Sequence, residues 1–283
     1  MQDSLDNKND NELLSEFERL LNQDAFLEEI SLKELEDHCL ALSSDEQLSS
    51  QLFQQMQGKE LALFRSQPDY QRWYSSKEQC LLILSGHNHY SIESMSQCWI
   101  SPVATALIRD FKKDGSVTYA YSILPRQGKL FCDVLQPVIF QLLKKKITAL
   151  RDGWRLRELR SELKKFHKCT KTSIIDEDCE AQKLALLEKI ALRVVNLFDE
   201  SESVYVIVDS IDRCRQLKPP TIDHRKMLLK CLLKLVDGGT CRLKVLAVID
   251  GQIWPQKRYN DMTESRIEGR VIIHEAKQKS VVD

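Results

Sequence analysis

Glycine and proline are scarce in this sequence. Among 283 residues there are nine glycines and seven prolines, too few for a loop-rich or all-β fold, so we expect helices to predominate. Long apolar runs are missing as well: the longest, such as residues 81–84 and 204–208, fall far short of the ~20 residues that cross a bilayer. The first residues are polar and acidic, unlike a signal peptide. We therefore expect no transmembrane segment.

A strong net charge and a cysteine framework are also absent. The formal net charge of −1 argues against an electrostatic nucleic-acid binder. The nine cysteines are an odd number and include no CxxC pair. Most lie within apolar helical or strand patterns, namely Cys80, Cys98, Cys132, Cys231 and Cys241. We expect buried, reduced thiols in a cytoplasmic protein rather than disulfides or a zinc site.

Two regions differ in composition. Residues 1–60 carry 15 acidic and four basic side chains, and their apolar residues recur at helical spacing. One apolar stripe runs from Leu13 to Leu21, and a second runs from Leu32 to Leu40 behind a capping box of Ser31 and Glu34. We interpret residues 1–60 as an acidic helical N-terminal region. Residues 61–283 are predicted to form an α/β domain that includes a basic helical insertion at about 131–200.

Apolar strands alternate with helices in this second region. We predict strands at 80–84, 117–121, 204–208, 243–249 and 271–273, and helices at 101–111, 131–146, 154–168, 180–198 and 225–236. The alternation predicts a parallel sheet of about five strands covered by helices on both faces. Ligands of such sheets bind beyond the carboxyl ends of the strands. Three strand ends are therefore candidates, at Gly86, Asp209 and Asp250.

Over roughly residues 60–275 the order of these segments resembles the fungal NACHT-type proteins, members of the STAND class of P-loop NTPases. The resemblance rests on a short aromatic helix around Trp73, LILSG at 82–86, Trp99 with SPVA at 101–104, YAY at 119–121 and VIVDSIDRC at 206–214. The last segment is similar to the family's apolar strand followed by D-x-x-D-E-C, and 243–249 looks like its sensor strand.

This resemblance implies a P-loop NTPase-like fold, ATP with Mg²⁺ at Asp209, and a role in fungal nonself recognition or signalling. In our interpretation it also requires the strands at 81–84 and 204–208 to be adjacent parallel neighbours.

The phosphate-binding loop departs from the family pattern G-x-x-x-x-G-K-[ST], whose lysine binds phosphates and whose hydroxyl binds Mg²⁺. The chain reads Gly86-His87-Asn88-His89-Tyr90-Ser91-Ile92-Glu93. Ser91 replaces the second glycine, Ile92 the lysine and Glu93 the hydroxyl residue. A glutamate here repels phosphate. No lysine occurs between Lys77 and Lys112, so no shift of the alignment restores one.

The second motif keeps Asp209 and Asp212 but changes the residue that follows. Arg213 stands where the family's glutamate orients the attacking water, and a guanidinium cannot act as that base. Asp250 stands on the fourth strand where the family often has a polar or basic residue. The degenerate nucleotide site then comprises Gly86, His87, Asn88, His89, Ser91, Ile92, Glu93, Asp209, Asp212 and Arg213. We expect no catalytic residues, and hydrolysis to be lost.

Two other residue patterns are not expected to carry chemistry. His87 and His89 alternate in the loop but lack a third ligand at suitable spacing, so we expect no metal held by them. Cys214 has no histidine near it in sequence, so we do not expect it to act as a nucleophile.

A basic segment spans residues 144–171, with eleven basic and three acidic side chains. A solvated helix face explains this composition, but such a helix can also bind an anionic membrane, nucleic acid or an acidic partner. The acidic residues 1–60 could instead dock on it as an intramolecular lock.

The leading interpretation is a catalytically inactive STAND/NACHT-like regulatory or scaffolding module in the cytoplasm, acting through a protein partner or self-association. Two alternatives stay open. One is an active or weakly active ATP-binding NTPase with an atypical phosphate loop. The other is a purely structural protein-interaction domain.

Overall fold

A computed structural model of the chain describes residues 9–22, 32–33, 60–86, 101–125, 128–151, 153–171, 177–214, 223–251, 253–257 and 269–276. Before the sheet come α1 (Asp10–Leu20), α2 (Glu60–Ser66) and α3 (Pro68–Ser75). The first half of the sheet region contains β1 (Cys80–Gly86), α4 (Ser101–Lys113), β2 (Thr118–Ile123), α5 (Phe131–Lys146), α6 (Gly153–Lys171) and α7 (Glu177–Val195). The second half contains β3 (Ser203–Asp209), α8 (His224–Gly238), β4 (Arg242–Asp250) and β5 (Val271–Ala276). Short 3₁₀ turns occupy Ile147–Arg151 and Ile211–Arg213.

The five strands form one all-parallel sheet in the order β2-β3-β4-β1-β5. The predicted α/β fold with a parallel sheet covered by helices is therefore confirmed, as is a helical N-terminal segment. Strand β4 is the centre of the sheet, and eight of its nine residues are buried. Its nearly continuous apolar sequence suits a parallel strand that is covered on both faces.

The first and third strands are not neighbours, so the predicted adjacency of 81–84 and 204–208 is wrong. Strand β4 lies between them and pairs with both, as Leu246 is the register partner of Leu82 on β1 and of Ile207 on β3. One intervening strand separates the ends of β1 and β3 by about 10 Å at the same edge. The requirement that the sequence interpretation set is therefore not met, and the P-loop resemblance stays a prediction that rests on the residues meeting at that edge.

Helices cover both faces of the sheet. Helices α1, α5, α6, α7 and α8 pack on one face, here called the large face, and α2, α3 and α4 pack on the other, the small face. Successive strand residues alternate between the two cores. In β1, Leu81 and Ile83 join the large-face core, whereas Leu82 and Leu84 join the small-face core. The helix after β1 and the helix after β3 thus lie on opposite faces, which opens a crevice between the strand ends.

The outer edge of β2 is capped by a side chain of α5. Gln141 Oε1 accepts a hydrogen bond from Tyr121 N at 3.0 Å, and Gln141 Nε2 donates to Tyr121 O at 2.7 Å. The amide imitates a neighbouring strand at this residue. It occupies the N–H and C=O groups of Tyr121, which could otherwise pair with another chain.

The acidic helix α1 docks on the basic helical region. Asn9 caps α1 by accepting from the amides of Asn11 and Glu12. The apolar stripe of α1 enters the large-face core through three side chains: Leu13, Phe17 and Leu20. Two ion pairs add to this packing, one between Arg151 and Asp10 at 3.1 Å and one between Arg160 and Glu16 at 2.6 Å. The N-terminal contact proposed from opposite charges is therefore present for α1, although apolar packing forms most of it.

Several expectations fall on other parts of the chain. The capping box of Ser31 and Glu34 and the stripe residues Leu35, Cys39 and Leu40 lie outside the described residues, as does Cys98. Leu32 is described and is buried in the small-face core. Four cysteines expected to be buried are confirmed as buried, free thiols: Cys80, Cys132, Cys231 and Cys241. Among the described residues, no helix is long and apolar enough to cross a membrane.

Arg160→Ala is expected to destabilise the chain by about 3–5 kcal/mol, because Glu16 stays buried without this cation. The Arg160 and Glu16 side chains are only 8% and 11% exposed. Arg151→Ala is the matched control, since its side chain is 70% exposed, and it should cost less than about 1 kcal/mol. Urea denaturation followed by tryptophan fluorescence measures both values.

Deleting residues 1–55 provides a second measurement of the same docking. We expect faster amide hydrogen exchange in α6, because its inner face loses α1. Unchanged exchange in α6, or equal effects of the two arginine variants, would contradict the docking.

Candidate functional site

Four of the predicted site residues lie within the described chain, and the structure brings them to one edge. They are Gly86, Asp209, Asp212 and Arg213; the other six, His87, Asn88, His89, Ser91, Ile92 and Glu93, lie outside the described residues. Hydrogen bonds donated by backbone amides connect the strand ends. Gly251 N donates to Gly86 O at 2.8 Å, and Asp250 N donates to Asp212 Oδ1 at 2.8 Å. The ends of β1, β3 and β4 therefore form one connected edge.

Asp209 ends β3 and is 1% exposed. Strand alternation directs it to the small face, where Ile207 of the same strand also lies. Ser210 Oγ donates to Asp209 Oδ2 at 3.0 Å. Burial raises the pKa of Asp209, and the hydroxyls of Ser101 and Ser210 and the charge of Arg213 oppose that rise.

Ser101 is a site residue that the sequence interpretation missed. It begins α4, the helix that follows β1, and it is fully buried. Its hydroxyl lies near Asp209 without completing a hydrogen bond, so Ser101 Oγ and Asp209 Oδ1 have no hydrogen-bond partner among the described residues. In P-loop NTPases a hydroxyl at this helix start and an aspartate at this strand end both contact Mg²⁺. The prediction placed that hydroxyl position at Glu93, although Ser101-Pro102 already marked the start of the helix.

Asp212 lies in the 3₁₀ turn after β3, and its side chain is fully buried. Its Oδ1 accepts from Asp250 N, while its Oδ2 has no hydrogen-bond partner in the described chain and lies 4.0 Å from Arg213 Nε. Burial raises the pKa of Asp212 to about 7. The Asp250 amide and Arg213 oppose the rise, and the carboxylates of Asp250 and Asp209 add to it.

Ser210 joins the two aspartates through an unusual backbone conformation. Its φ of 59° and ψ of 48° are left-handed, which costs a non-glycine residue about 1–3 kcal/mol. Ser210 is fully buried, and its carbonyl accepts from Arg213 N at 2.9 Å. The surrounding packing therefore holds a strained turn at the strand end, a placement typical of functional sites.

Two more groups border this edge on the large-face side. His224 begins α8 and its Nδ1 accepts from Phe131 N, at the start of α5, at 3.0 Å. Burial lowers the pKa of His224, so the neutral ring fixes the two helix starts to each other. Burial raises the pKa of the Cys214 thiol, which disfavours the thiolate a nucleophile requires.

The chemistry available at the edge is limited. Asp209, Asp212 and Asp250 are buried together with the cation of Arg213. In the described part of the chain, no three His, Cys, Asp or Glu side chains are placed to hold a metal ion by themselves. Asp209 and Ser101 could supply two ligands to a Mg²⁺ that phosphates and water complete. Arg213 cannot activate water as a base.

Comparison with known protein families and with curated protein sequences finds no match to this chain. The interpretation of the edge therefore rests on the chemistry of the residues that meet there.

Asp212→Asn is expected to stabilise the chain at about pH 8 and to matter little near pH 4. The amide keeps an oxygen for Asp250 N and removes a charge that is unfavourable when buried. The folded pKa, about 7, is above the ordinary value of 3.8. The stability linked to this proton is therefore complete below about pH 4 and is lost as the pH rises to about 7.

Melting temperatures measured from about pH 5 to pH 8 test this sign. The melting temperature of Asp212→Asn should exceed that of the natural chain by an amount that grows with pH. Asp237→Asn is the matched control, because this acid is 69% exposed on α8, and its effect should not vary across the range. A pH-independent loss of stability in Asp212→Asn would contradict the assignment.

Proposed function

We propose that the chain is a catalytically inactive regulatory or scaffolding module of the STAND/NACHT type, acting in the cytoplasm through a protein partner or a second copy of itself. One observation carries this proposal. Asp212 and Arg213 follow β3: the backbone of Asp250 donates a hydrogen bond to Asp212, and Arg213 stands where a general base is needed.

The contacts of these two residues support the loss of hydrolysis. Asp212 Oδ1 is occupied by the amide of Asp250 at 2.8 Å, so this oxygen is engaged by the protein's own backbone. The Arg213 side chain is 10% exposed and stands where a general base is needed. Asp212 therefore contacts the end of β4, and Arg213 supplies no base for phosphate chemistry.

The cytoplasmic part of the proposal has a separate basis. Within the described residues, Cys80, Cys132, Cys214, Cys231 and Cys241 are buried free thiols. Their burial raises the pKa of each thiol. Buried unpaired thiols are usual in a reducing compartment. A signalling role in fungal nonself recognition belongs to the same proposal and comes from the family resemblance alone.

Binding of ATP with Mg²⁺ is the second candidate, and a specific observation favours it. The buried polar atoms at the edge without a hydrogen-bond partner among the described residues include Asp212 Oδ2 and three that suit this ligand, namely Ser101 Oγ, Asp209 Oδ1 and Arg213 Nη1. Unpaired buried groups are costly, and a magnesium–phosphate group would satisfy all three. Ser101 and Asp209 would hold the metal, and Arg213 would supply the cation that the missing lysine does not.

A phosphate-release assay tests the proposed inactivity. The purified chain with millimolar ATP and Mg²⁺ should release phosphate no faster than Asp209→Ala does, because Arg213 stands where a general base is needed and cannot act as one. Magnesium-dependent hydrolysis that Asp209→Ala abolishes would overturn the proposal and support the active-NTPase alternative.

A thermal-shift titration with ATP and Mg²⁺ tests the second candidate separately. Ligand at a hundred times its dissociation constant stabilises a fold by about 2.7 kcal/mol. Binding at the edge predicts a shift that Asp209→Ala and Arg213→Gln each reduce, while the exposed control Asp237→Asn keeps it. No shift at millimolar nucleotide would exclude nucleotide binding and leave the protein-interaction functions.

A further inference from the structure

The outward face of α6 carries a continuous row of cations. Exposed basic residues follow one another mostly at spacings of three to seven residues along one side of the helix, and they are Arg157, Lys164, Lys165, Lys168 and Lys171. We call this set the α6 basic face. Arg157, Lys164, Lys165 and Lys171 make no ion pair within the described residues. These four cations are therefore available to an external anion.

The acids of α6 do not neutralise this face, because they are engaged toward α7. Glu162 is buried and contacts Arg193 Nε at 2.7 Å and Lys189 Nζ at 2.9 Å. Glu158 also pairs with Arg193. The acidic helix α1 uses a different side of the region, through Arg160 and the apolar stripe. Neither set of contacts covers the basic face.

An exposed tryptophan stands at the start of the same helix. Trp154 is 52% exposed, and the Arg155 guanidinium carbon lies 5.6 Å from the centroid of its ring. Trp154 forms one wall of a hollow of about 230 Å³ whose apolar lining includes Leu150, Leu159 and Leu197. The hollow is large enough for a planar aromatic ring to enter beside the indole.

We propose that α6 binds single-stranded nucleic acid, with phosphates along the α6 basic face and a base stacked at Trp154. Sites of this kind combine a row of cations with an aromatic platform. The face from Arg157 to Lys171 is about 21 Å long at about 1.5 Å per residue, enough for the backbone of a few nucleotides. This function is independent of the edge site and goes beyond the proposed regulatory role.

The small net charge of the chain does not oppose this binding. Charges separated by more than about 8 Å are largely screened at physiological ionic strength. The acidic residues elsewhere in the chain therefore have little effect on an anion held at the outward face of α6. The affinity for such an anion is therefore set by the nearby cations of the α6 basic face.

Two other anionic partners fit the surface less well. A membrane-bound helix inserts an apolar face, but Leu156, Leu159 and Leu163 of α6 are buried in the large-face core. An acidic peptide would satisfy the cations and make no use of the hollow at Trp154. Nucleic acid uses both features.

Fluorescence anisotropy of a labelled twelve-nucleotide oligo-U, titrated with the full chain at several salt concentrations, tests the proposal. Four neutralised phosphates predict a slope of log K against log salt of about −3. Lys164→Gln/Lys165→Gln should weaken binding and make the slope shallower by about 1.4. Trp154→Ala should weaken binding about five- to a hundredfold with the slope unchanged.

The matched control is Lys112→Gln/Lys113→Gln, two adjacent exposed lysines at the end of α4, which should leave affinity unchanged. A melting curve for each variant confirms that it folds. Absence of saturable binding at low salt would overturn the proposal. So would equal weakening by the control pair, insensitivity to both α6 variants, or tighter binding of phosphatidylserine vesicles or polyglutamate than of oligo-U.

Discussion

The two-sided burial of β4 is the constraint on which the rest of the structure depends. Its residues supply alternate side chains to both cores, with Leu243 and Val245 on the large face and Leu246 and Val248 on the small face. A strand of this composition is stable only with a neighbour on each side and helices above and below. Strand β4 lies between β1 and β3, and it sets the distance between the two strand ends that carry the candidate site.

The same burial explains the polar groups at the two ends of β4. At the amino end, Lys244 is buried, burial lowers its pKa, and Nζ donates to Glu78 O at 2.5 Å. At the carboxyl end, the amide of Asp250 donates to Asp212. Polar groups in a sheet covered on both faces must find internal partners or remain costly. The raised pKa of Asp212 and the unpaired atoms near Asp209 show where that compensation is incomplete, which is where a ligand would gain most.

The strands and most helices were predictable because runs such as 204–208 and stripes such as 131–146 are strongly patterned over one element. Asp209, Asp212 and Arg213 were predictable as a group because they directly follow an apolar strand. The position of β4 between β1 and β3 was not predictable, because β1 and β4 are both strands of apolar residues buried on both faces, and neither pattern shows which one is central. Ser101 was missed because its place beside Asp209 is a contact between α4 and β3, which no local sequence pattern shows. Gln141 left no local pattern, because its role comes from a contact between α5 and β2.

Helix α6 shows why composition alone could not assign a role to the basic residues of 144–171. Its inward cation, Arg160, is buried against Glu16 and acts in packing, whereas Arg157 and Lys164 on the outward side are exposed and unpaired within the described residues. The same residue type thus has two physical roles on one helix, separated by its 3.6-residue period. A buried ion pair contributes to specificity of packing more than to net stability, while exposed unpaired cations contribute little to folding. The outward row is therefore not explained by stability; it gives the helix a solvated face, and it is the surface on which nucleic-acid binding is proposed.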